Sequence, residues 1–330
     1  MTSMETAVTI ESGSLMVTVN PAVGGTITSI KHRPAGLSVL GVVPWDPIEA
    51  PIASFAAQDE FEWLTRYTGG WPLLFPNGGD ACSFGGVSHG FHGEASISPW
   101  AFTATERAIQ LSRRFYTVPV EMHRELAIEH DVLVIREQLR VEGTQPIDVM
   151  WGHHPTFGSD LLDGPVEITS DGQCVSADVA YDPAANPLRP GAEGQWPIID
   201  GKNGPHDLSR PHGPMAALTY LHDFKCGWIA MRRLDNAIAV VLSWDAKRFP
   251  CAWLWYELQG TSEAPWYGRA SLIGLEPNTT MPANGLANAK ARGGKLLRLQ
   301  PGEELSTVLR LQVLQPLGAI ISVNTEGRAR

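Results

Sequence analysis

The chain has 330 residues, of which 43% are hydrophobic and 18% are charged, so it is long enough to bury a large core. Its formal net charge is −10 and it contains no basic run, which argues against nucleic acid or an anionic membrane surface as a partner. No uninterrupted apolar stretch reaches the roughly 18 residues that a membrane-spanning helix needs.

The amino terminus and the cysteines both favour a cytoplasmic protein. The opening stretch, MTSMETAVTI, lacks the basic and apolar segments of a secretory signal. The cysteines include no CxxC pair, which predicts free thiols in a reducing compartment. They are Cys82, Cys174, Cys226 and Cys251. The sequence leaves open whether the protein is a monomer or a homodimer.

A period of two residues, typical of β-strands, dominates the chain. Apolar residues alternate with small or polar ones on both sides of the turn Ser12-Gly13-Ser14, which predicts a hairpin. In VLVIREQLRVEG, Glu137 interrupts the apolar side, which predicts that this strand end lies outside the core. The apolar residues of that side are Leu133, Ile135, Leu139 and Val141. The alternation returns in residues 305–313, after a turn at Gln300-Pro301-Gly302-Glu303.

Long helices have little room in this sequence, because 33 Gly and 25 Pro make turns frequent. Residues 159–217 are richer in Pro, Gly and Asp, and we expect loops and short strands that cross one end of a sandwich. The sequence thus predicts an all-β fold, a large antiparallel β-sandwich, built as a single domain over residues 1–330.

Two glycine-rich stretches, LFPNGGD and SHGFHGEAS, form the first candidate site. Glycine lets the main chain approach a ligand closely, and neighbouring polar side chains supply hydrogen bonds. Those side chains are Asn77, Asp80, His89 and His92. A metal site of the form H-x-x-H-x-E, ending at Glu94, is one alternative, but this spacing does not place both histidines on one face of a strand. A polar binding loop and a purely structural loop are the other interpretations.

The stretch VMWGHHPTFG contains adjacent histidines, His153 and His154, which an extended backbone directs to opposite faces. Pro155 favours extended geometry at His154 and ends regular pairing nearby. A histidine at a strand end beside aromatic residues suits a proton donor, since its pKa can lie near neutrality. A partly buried structural histidine fits the same spacing.

Two further stretches carry aromatic and acidic residues. In AWLWYELQG, Trp253, Trp255 and Glu257 share one strand face, where aromatic rings could stack on a sugar and a carboxylate could bind hydroxyls; core packing is the alternative. In LIGLEPNTTMP, Glu276 points away from the apolar side, and Pro277 cannot continue the ladder. A carboxylate at this strand end suits a general base, and a surface glutamate is the alternative.

Taken in chain order, these segments resemble the aldose 1-epimerase (galactose mutarotase-like) family. NPAVGGTITSIKH resembles the family's first hairpin, and GGWPLLFPNGGD with SHGFHG resembles the stretch that supplies a substrate-binding histidine. WGHHPTFG is similar to the segment of the catalytic acid, a position that falls on His154. GLEPNTTMP resembles the strand of the catalytic glutamate, a position that falls on Glu276, and LQPGEELSTVLRLQV resembles the closing strands. The resemblance spans nearly the whole chain.

The resemblance implies interconversion of sugar anomers in a cleft, without cofactor or metal. Glu276 would remove the proton of the C1 hydroxyl while His154 protonates the ring oxygen, the two acting from opposite sides of the ring. Of the histidines in SHGFHG, we favour His89 for the hydroxyl contact, because His-Gly-Phe fits the family triplet better. Asp223 in YLHDF is the candidate for the family's substrate-holding aspartate, and Arg66 is the nearest option for its arginine.

The identity of the sugar stays open. A family branch that acts on hexose 6-phosphates tends to carry an arginine just after the histidine triplet, whereas His92-Gly93 stands there in this chain. Arg248 or Arg269 could compensate for that loss. A non-catalytic carbohydrate-binding protein on the same fold and a metal enzyme are the remaining alternatives. The expected partner is a small sugar, with no nucleic acid and no membrane.

Overall fold

The computed structural model describes residues 7–48 and 57–330. The first six residues of the amino-terminal stretch therefore lie outside the described residues. Within the described residues, every helix falls short of the length and apolar character needed to cross a bilayer.

The described chain is built almost entirely from β-strands. The strands up to residue 157 are β1 Val8–Ser12, β2 Leu15–Asn20, β3 Thr26–His32, β4 Leu37–Ser38, β5 Leu73–Leu74, β6 Cys82–Phe84, β7 Val87–His89, β8 Ala101–Ala104, β9 Ala108–Arg114, β10 Val120–Glu129, β11 Val132–Val141, β12 Ile147–Val149, β13 Gly152–His153 and β14 Thr156–Phe157. The later strands are β15 Val166–Ser170, β16 Cys174–Ala177, β17 Glu193–Gln195, β18 Ile198–Gly201, β19 Gly204–Asp207, β20 Met215–His222, β21 Trp228–Arg233, β22 Ala239–Ser243, β23 Cys251–Leu258, β24 Ser271–Asn278, β25 Leu297–Leu299 and β26 Glu304–Leu314. The α-helices are α1 Glu60–Leu64 and α2 Gly285–Ala291, and short 3₁₀ turns cover Glu94–Ser96 and Ser159–Leu162.

Two large antiparallel sheets dominate the fold. Among the described strands, one sheet has the order β15-β21-β22-β26-β11-β10-β9-β8, and the other has the order β19-β18-β17-β16-β20-β23-β24-β13-β5, with β14 also paired to β24. The predicted amino-terminal hairpin is present as β1 and β2, which form a smaller sheet with β3 and β4. The prediction of an antiparallel β-sandwich is confirmed.

The main hydrophobic core contains side chains from both large sheets. Leu133 and Ile135 of β11 belong to the same buried cluster as Leu254 of β23 and Leu275 of β24. Because side chains alternate along a strand, the next residues of β23 and β24 point to the outer face of the second sheet. That outer face is where the candidate site lies.

A buried charged network, rather than an apolar residue, completes the core side of β11. Glu137 is 2% exposed, and its carboxylate lies 2.7 Å from Nε of Arg124 on β10 and 3.2 Å from Nε2 of His153. Trp151 Nε1 also donates to Glu137 at 3.1 Å. The prediction that this strand end leaves the core is therefore wrong, because a paired and hydrogen-bonded carboxylate can be buried.

Residues 159–217 form loops and short strands, as predicted, but these strands extend the two large sheets instead of crossing one end of the sandwich. β15 is an edge strand of the first sheet, whereas β16 to β19 form one side of the second sheet. Short antiparallel hairpins suit this part of the sequence, because its Pro and Gly residues end each strand after a few positions.

Candidate active site

Glu276 and His154 meet on the outer face of the second sheet. In β24, Leu275 packs into the core, so the adjacent Glu276 points outward. His153 ends β13 with its ring in the core, and His154 follows with its ring on the opposite side, as extended geometry predicts. Nε2 of His154 lies 3.6 Å from Oε1 of Glu276.

These two side chains line a cavity of about 590 Å³. Aromatic rings form much of its wall, namely Phe61, Trp63, Tyr67, Phe91, Tyr181, Trp253, Trp255 and Trp266. The carboxylates of the lining are Asp59, Glu60, Asp80, Glu257, Glu263 and Glu276. Among the described residues that line the cavity, none is an arginine or a lysine. The cavity is therefore aromatic and acidic.

Burial shifts the pKa values of His154 and Glu276 in the directions that favour the uncharged form of each side chain. The side chains of His154 and Glu276 are 8% and 2% exposed. Burial lowers the pKa of His154 to about 4 and raises the pKa of Glu276 well above its usual value. Burial therefore favours the state in which the pair holds one proton, and that proton can move between a carboxyl group and an imidazole.

A hydroxyl chain orients the imidazole of His154. Tyr67 donates its hydroxyl to Oγ1 of Thr156 at 2.7 Å, and this oxygen lies 2.9 Å from Nδ1 of His154. The threonine hydroxyl can donate to the neutral ring and accept from the imidazolium, so it supports both protonation states. When it donates to Nδ1, the ring proton resides on Nε2, the atom that faces Glu276.

The cavity contains His92 and not His89. His92 has a positive φ of 58°, and its ring lies 5.1 Å from the His154 ring and 4.7 Å from the Trp63 ring. The Gly79 N–H donates to Nδ1 of His92 at 3.0 Å, which leaves Nε2–H as the free donor. His89 ends β7 outside the lining, so the geometry corrects the sequence-based preference for it.

The glycine-rich stretch holds the cavity wall in place. Asn77 is fully buried, donates to the main-chain oxygens of Asp80 and Gly90 at 2.9 Å, and accepts from the Leu286 N–H at 2.8 Å. Asn77 therefore ties loops together and lies behind the lining, whereas Asp80 is part of it. Glu94 is also structural, because it is buried, accepts from Arg113 and is absent from the described lining of the cavity.

The predicted aromatic face of β23 does line the cavity. Trp253 is 2% exposed, and its Nε1 donates to the Thr280 carbonyl at 2.7 Å, so it combines a wall position with local packing. Trp255 is more accessible, and its ring lies 5.8 Å from the His154 ring. Glu257 lines the cavity too, but its carboxylate accepts from the N–H groups of Gly260 and Thr261, so much of its hydrogen-bonding capacity is used locally.

Other residues predicted from the sequence lie elsewhere. Asp223 follows β20 beside His222, in a second cavity that does not include His154 or Glu276. Arg66, Arg248 and Arg269 are absent from the described lining of the main cavity. The structure therefore brings neither the expected aspartate nor a compensating arginine to the central pair.

Helix α1 supplies cavity residues that sequence reasoning missed. Asp59 caps the helix by accepting from the Glu62 N–H at 2.8 Å. Trp63 and Tyr67, four residues apart, stack with ring centroids separated by 4.4 Å. The signal that could have found them is this aromatic pair at helical spacing in EFEWLTRY, which directly follows an N-cap aspartate.

Comparison with known proteins supports the fold. No family model matches the chain, and no curated protein matches it. Among solved structures, it is similar to an Escherichia coli K12 protein proposed to be an aldose 1-epimerase, at 15% identity and a TM-score of 0.66, covering 94% of this chain and 99% of that chain. A Klebsiella pneumoniae protein proposed to have the same activity gives 16% identity and a TM-score of 0.69, covering 94% and 79%. A galactose mutarotase-like protein from Lactobacillus casei gives 15% identity and a TM-score of 0.59, covering 93% and 100%.

The chain therefore has the galactose mutarotase-like fold, a large antiparallel β-sandwich. The resemblance identified from the sequence motifs is confirmed at the level of the fold. Fold alone does not determine activity, which depends on the side chains of the site.

Proposed function

We propose that the protein is an aldose 1-epimerase that interconverts the α and β anomers of a free sugar. The observation that carries the proposal is the 3.6 Å separation of His154 Nε2 and Glu276 Oε1 in an aromatic cavity. In a cyclic sugar, the C1 hydroxyl oxygen and the ring oxygen are bonded to the same carbon. An acid and a base as close together as these can therefore reach both oxygens, whereas the sequence-based scheme placed the two groups on opposite sides of the ring.

The reaction requires only proton transfers and one reversible C–O bond cleavage. With Glu276 ionised and His154 protonated, the carboxylate accepts the proton of the C1 hydroxyl as His154 Nε2 donates one to the ring oxygen. The bond between C1 and the ring oxygen breaks, giving an open-chain aldehyde, a neutral imidazole and a carboxylic acid. Rotation about the C1–C2 bond followed by the reverse transfers closes the ring as the other anomer. Each transfer contributes about 10²–10⁴-fold in rate.

The raised pKa of Glu276 and the lowered pKa of His154 support this cycle. The neutral acid–imidazole pair that burial favours has the same proton count as the ion pair that begins ring opening. It is also the state that receives the open-chain aldehyde, in which Glu276 protonates the carbonyl oxygen during ring closure. His92, held neutral because burial and the nearby His154 lower its pKa, can donate Nε2–H to a sugar hydroxyl.

The lining favours an uncharged sugar over a hexose 6-phosphate. Trp255, which is partly exposed in the cavity, can offer its aromatic face to the C–H face of a sugar ring. Carboxylates such as Asp80 and Glu60 accept hydrogen bonds from hydroxyls but repel a phosphate, and no described arginine or lysine lines the cavity to offset them. A phosphorylated substrate therefore suits this cavity poorly.

Saturation-transfer NMR over a panel of free and phosphorylated aldoses tests the proposal. Glu276→Gln and His154→Asn should each lower the rate of anomer exchange by about 10²–10⁴-fold while circular dichroism stays unchanged. Glu106→Gln and His123→Asn, at exposed positions away from the cavity, are matched controls that should retain the wild-type rate. Calorimetric binding of sugars without rate acceleration would instead indicate a carbohydrate-binding protein, and full activity in either central variant would overturn the assignment.

A further inference from the structure

Three side chains with the chemistry of metal ligands meet in the part of the second sheet that lies outside the sugar cavity. Cys174 of β16 and His222 of β20 are directly paired across the two strands, so their side chains project from the same face. Asp223 follows at once and has a positive φ of 59°, a conformation that non-glycine residues seldom adopt. This turn of the backbone brings its carboxylate back to the His222 ring.

The donor atoms are close enough for one ion to join them. One donor atom each from Cys174, His222 and Asp223 lies within 4.8 Å of the others, and Nδ1 of His222 is 3.3 Å from Oδ2 of Asp223. Tetrahedral zinc, with bonds of about 2.3 Å to sulfur and 2.0 Å to nitrogen or oxygen, separates its ligands by about 3.5 Å. Small rotations of these partly exposed side chains would complete that geometry.

We infer that Cys174, His222 and Asp223 form a zinc site. A thiolate, an imidazole and a carboxylate together suit zinc, whereas magnesium and calcium prefer oxygen ligands alone. His222 and Asp223 line the second cavity, of about 560 Å³, which gives water access to a fourth coordination position. Arg292 and Lys295 line the same cavity, so the charge of the ion has to be neutralised by its own ligands. A thiolate and a carboxylate do this for a divalent ion.

Such a site would stabilise the β16–β19 side of the second sheet, which is separated in the strand order from β24, the strand of Glu276. β16 is the strand that joins the β17–β19 extension to β20, and the ion would link β16 directly to β20. None of the three ligands belongs to the described lining of the sugar cavity. The inference is therefore independent of the proposed sugar chemistry.

Isothermal titration calorimetry of the metal-free full-length protein with ZnCl₂ tests the inference. We expect one saturable site, and Cys174→Ser, His222→Gln and Asp223→Asn should each weaken zinc binding by at least about tenfold. Cys226→Ser is the matched control, because Cys226 is exposed and is not part of the cluster. MgCl₂ at the same concentration should give no saturable heat.

Thiol labelling of the wild-type protein gives a second readout that needs no variant to fold. Zinc should protect Cys174 from iodoacetamide, measured by peptide mass spectrometry, while Cys226 remains reactive. The inference is overturned if the wild type takes up no zinc at a saturable site. Zinc affinity unchanged in both Cys174→Ser and His222→Gln, or equal labelling of Cys174 with and without zinc, would also overturn it.

Discussion

Replacing Glu276 by glutamine separates the cost of burying this carboxyl group from its proposed role in catalysis. Glu276 is 1% exposed and forms no hydrogen bond among the described residues, while His154 at 3.6 Å is its ion-pair neighbour. Burial raises its pKa well above the usual value, so the folded protein keeps a proton that the unfolded chain releases. Glutamine keeps the shape and cannot ionise.

The sign and size of the effect follow from proton linkage. Below the unfolded pKa of about 4.3, the group is protonated in both states and its burial carries no ionisation cost. As the pH rises above that value, the contribution of Glu276 to wild-type stability falls by about 1.4 kcal/mol per pH unit, until the raised pKa of the folded state is passed. Glu276→Gln lacks this slope, so its stability relative to wild type should increase from pH 5 upward and level off above the raised pKa of the folded state.

Urea unfolding followed by tryptophan fluorescence at several pH values measures this difference, and Glu106→Gln at an exposed position is the control that should follow wild type. Anomer exchange measured over the same range should decline in wild type where the pair loses its proton, which is also where the stability penalty is largest. A stability difference between Glu276→Gln and wild type that does not change with pH would refute the claim that burial keeps this proton in place.

Four further predictions concern individual contacts. His92→Ala should lower kcat/KM by about tenfold in anomer-exchange NMR, as expected for the loss of a hydrogen bond to substrate, whereas His89→Ala should stay near wild type; the reverse result would restore the sequence-based preference. Tyr67→Phe should lower kcat about two- to tenfold with little change in KM, because it removes the donor to the hydroxyl that orients the imidazole. Glu137→Gln should destabilise the fold in urea by about 3–5 kcal/mol, because it leaves a buried arginine without its counterion. Asp80→Asn should reduce discrimination against glucose 6-phosphate at pH 8 by about two- to fivefold at low salt, and added salt should remove the difference.

The regular strands of the fold can be predicted from the alternation of apolar and polar residues, because one face of each strand is buried. The β1–β2 hairpin and the apolar side of β11 follow directly from that pattern. Glu137 could not be placed in the same way, since the charges that make its burial tolerable belong to Arg124 on a neighbouring strand and His153 on the opposite sheet. A single-strand pattern contains no information on such partners.

In the candidate site, too, local sequence patterns predict some residues but not those whose position depends on loop conformation. The positions of His154 and Glu276 were available from motif resemblance, and strand parity correctly turned Trp255 toward the cavity. The choice between His89 and His92 depends on the left-handed backbone conformation of His92, which residue spacing does not reveal. The triplet that fits the family better contains His89, whereas the loop conformation brings His92 to the cavity.

The contrast between Glu137 and Glu276 explains why only one of these two buried glutamates can serve as a proton carrier. Burial alone would raise both pKa values, but His153 and Arg124 lower that of Glu137 to about 2, so it stays ionised at neutral pH and accepts no proton. Glu276 has no arginine or lysine beside it among the described lining residues. Its neighbour His154 has a pKa that burial lowers, so the proton on Glu276 remains exchangeable. His153 and His154 lie on opposite sides of the same strand end, where the first faces the carboxylate of Glu137 in the core and the second faces that of Glu276 in the cavity. Moving a cation next to Glu276, for example by replacing a cavity residue with arginine, would therefore lower its pKa and weaken it as a base even if every residue of the proposed mechanism were retained.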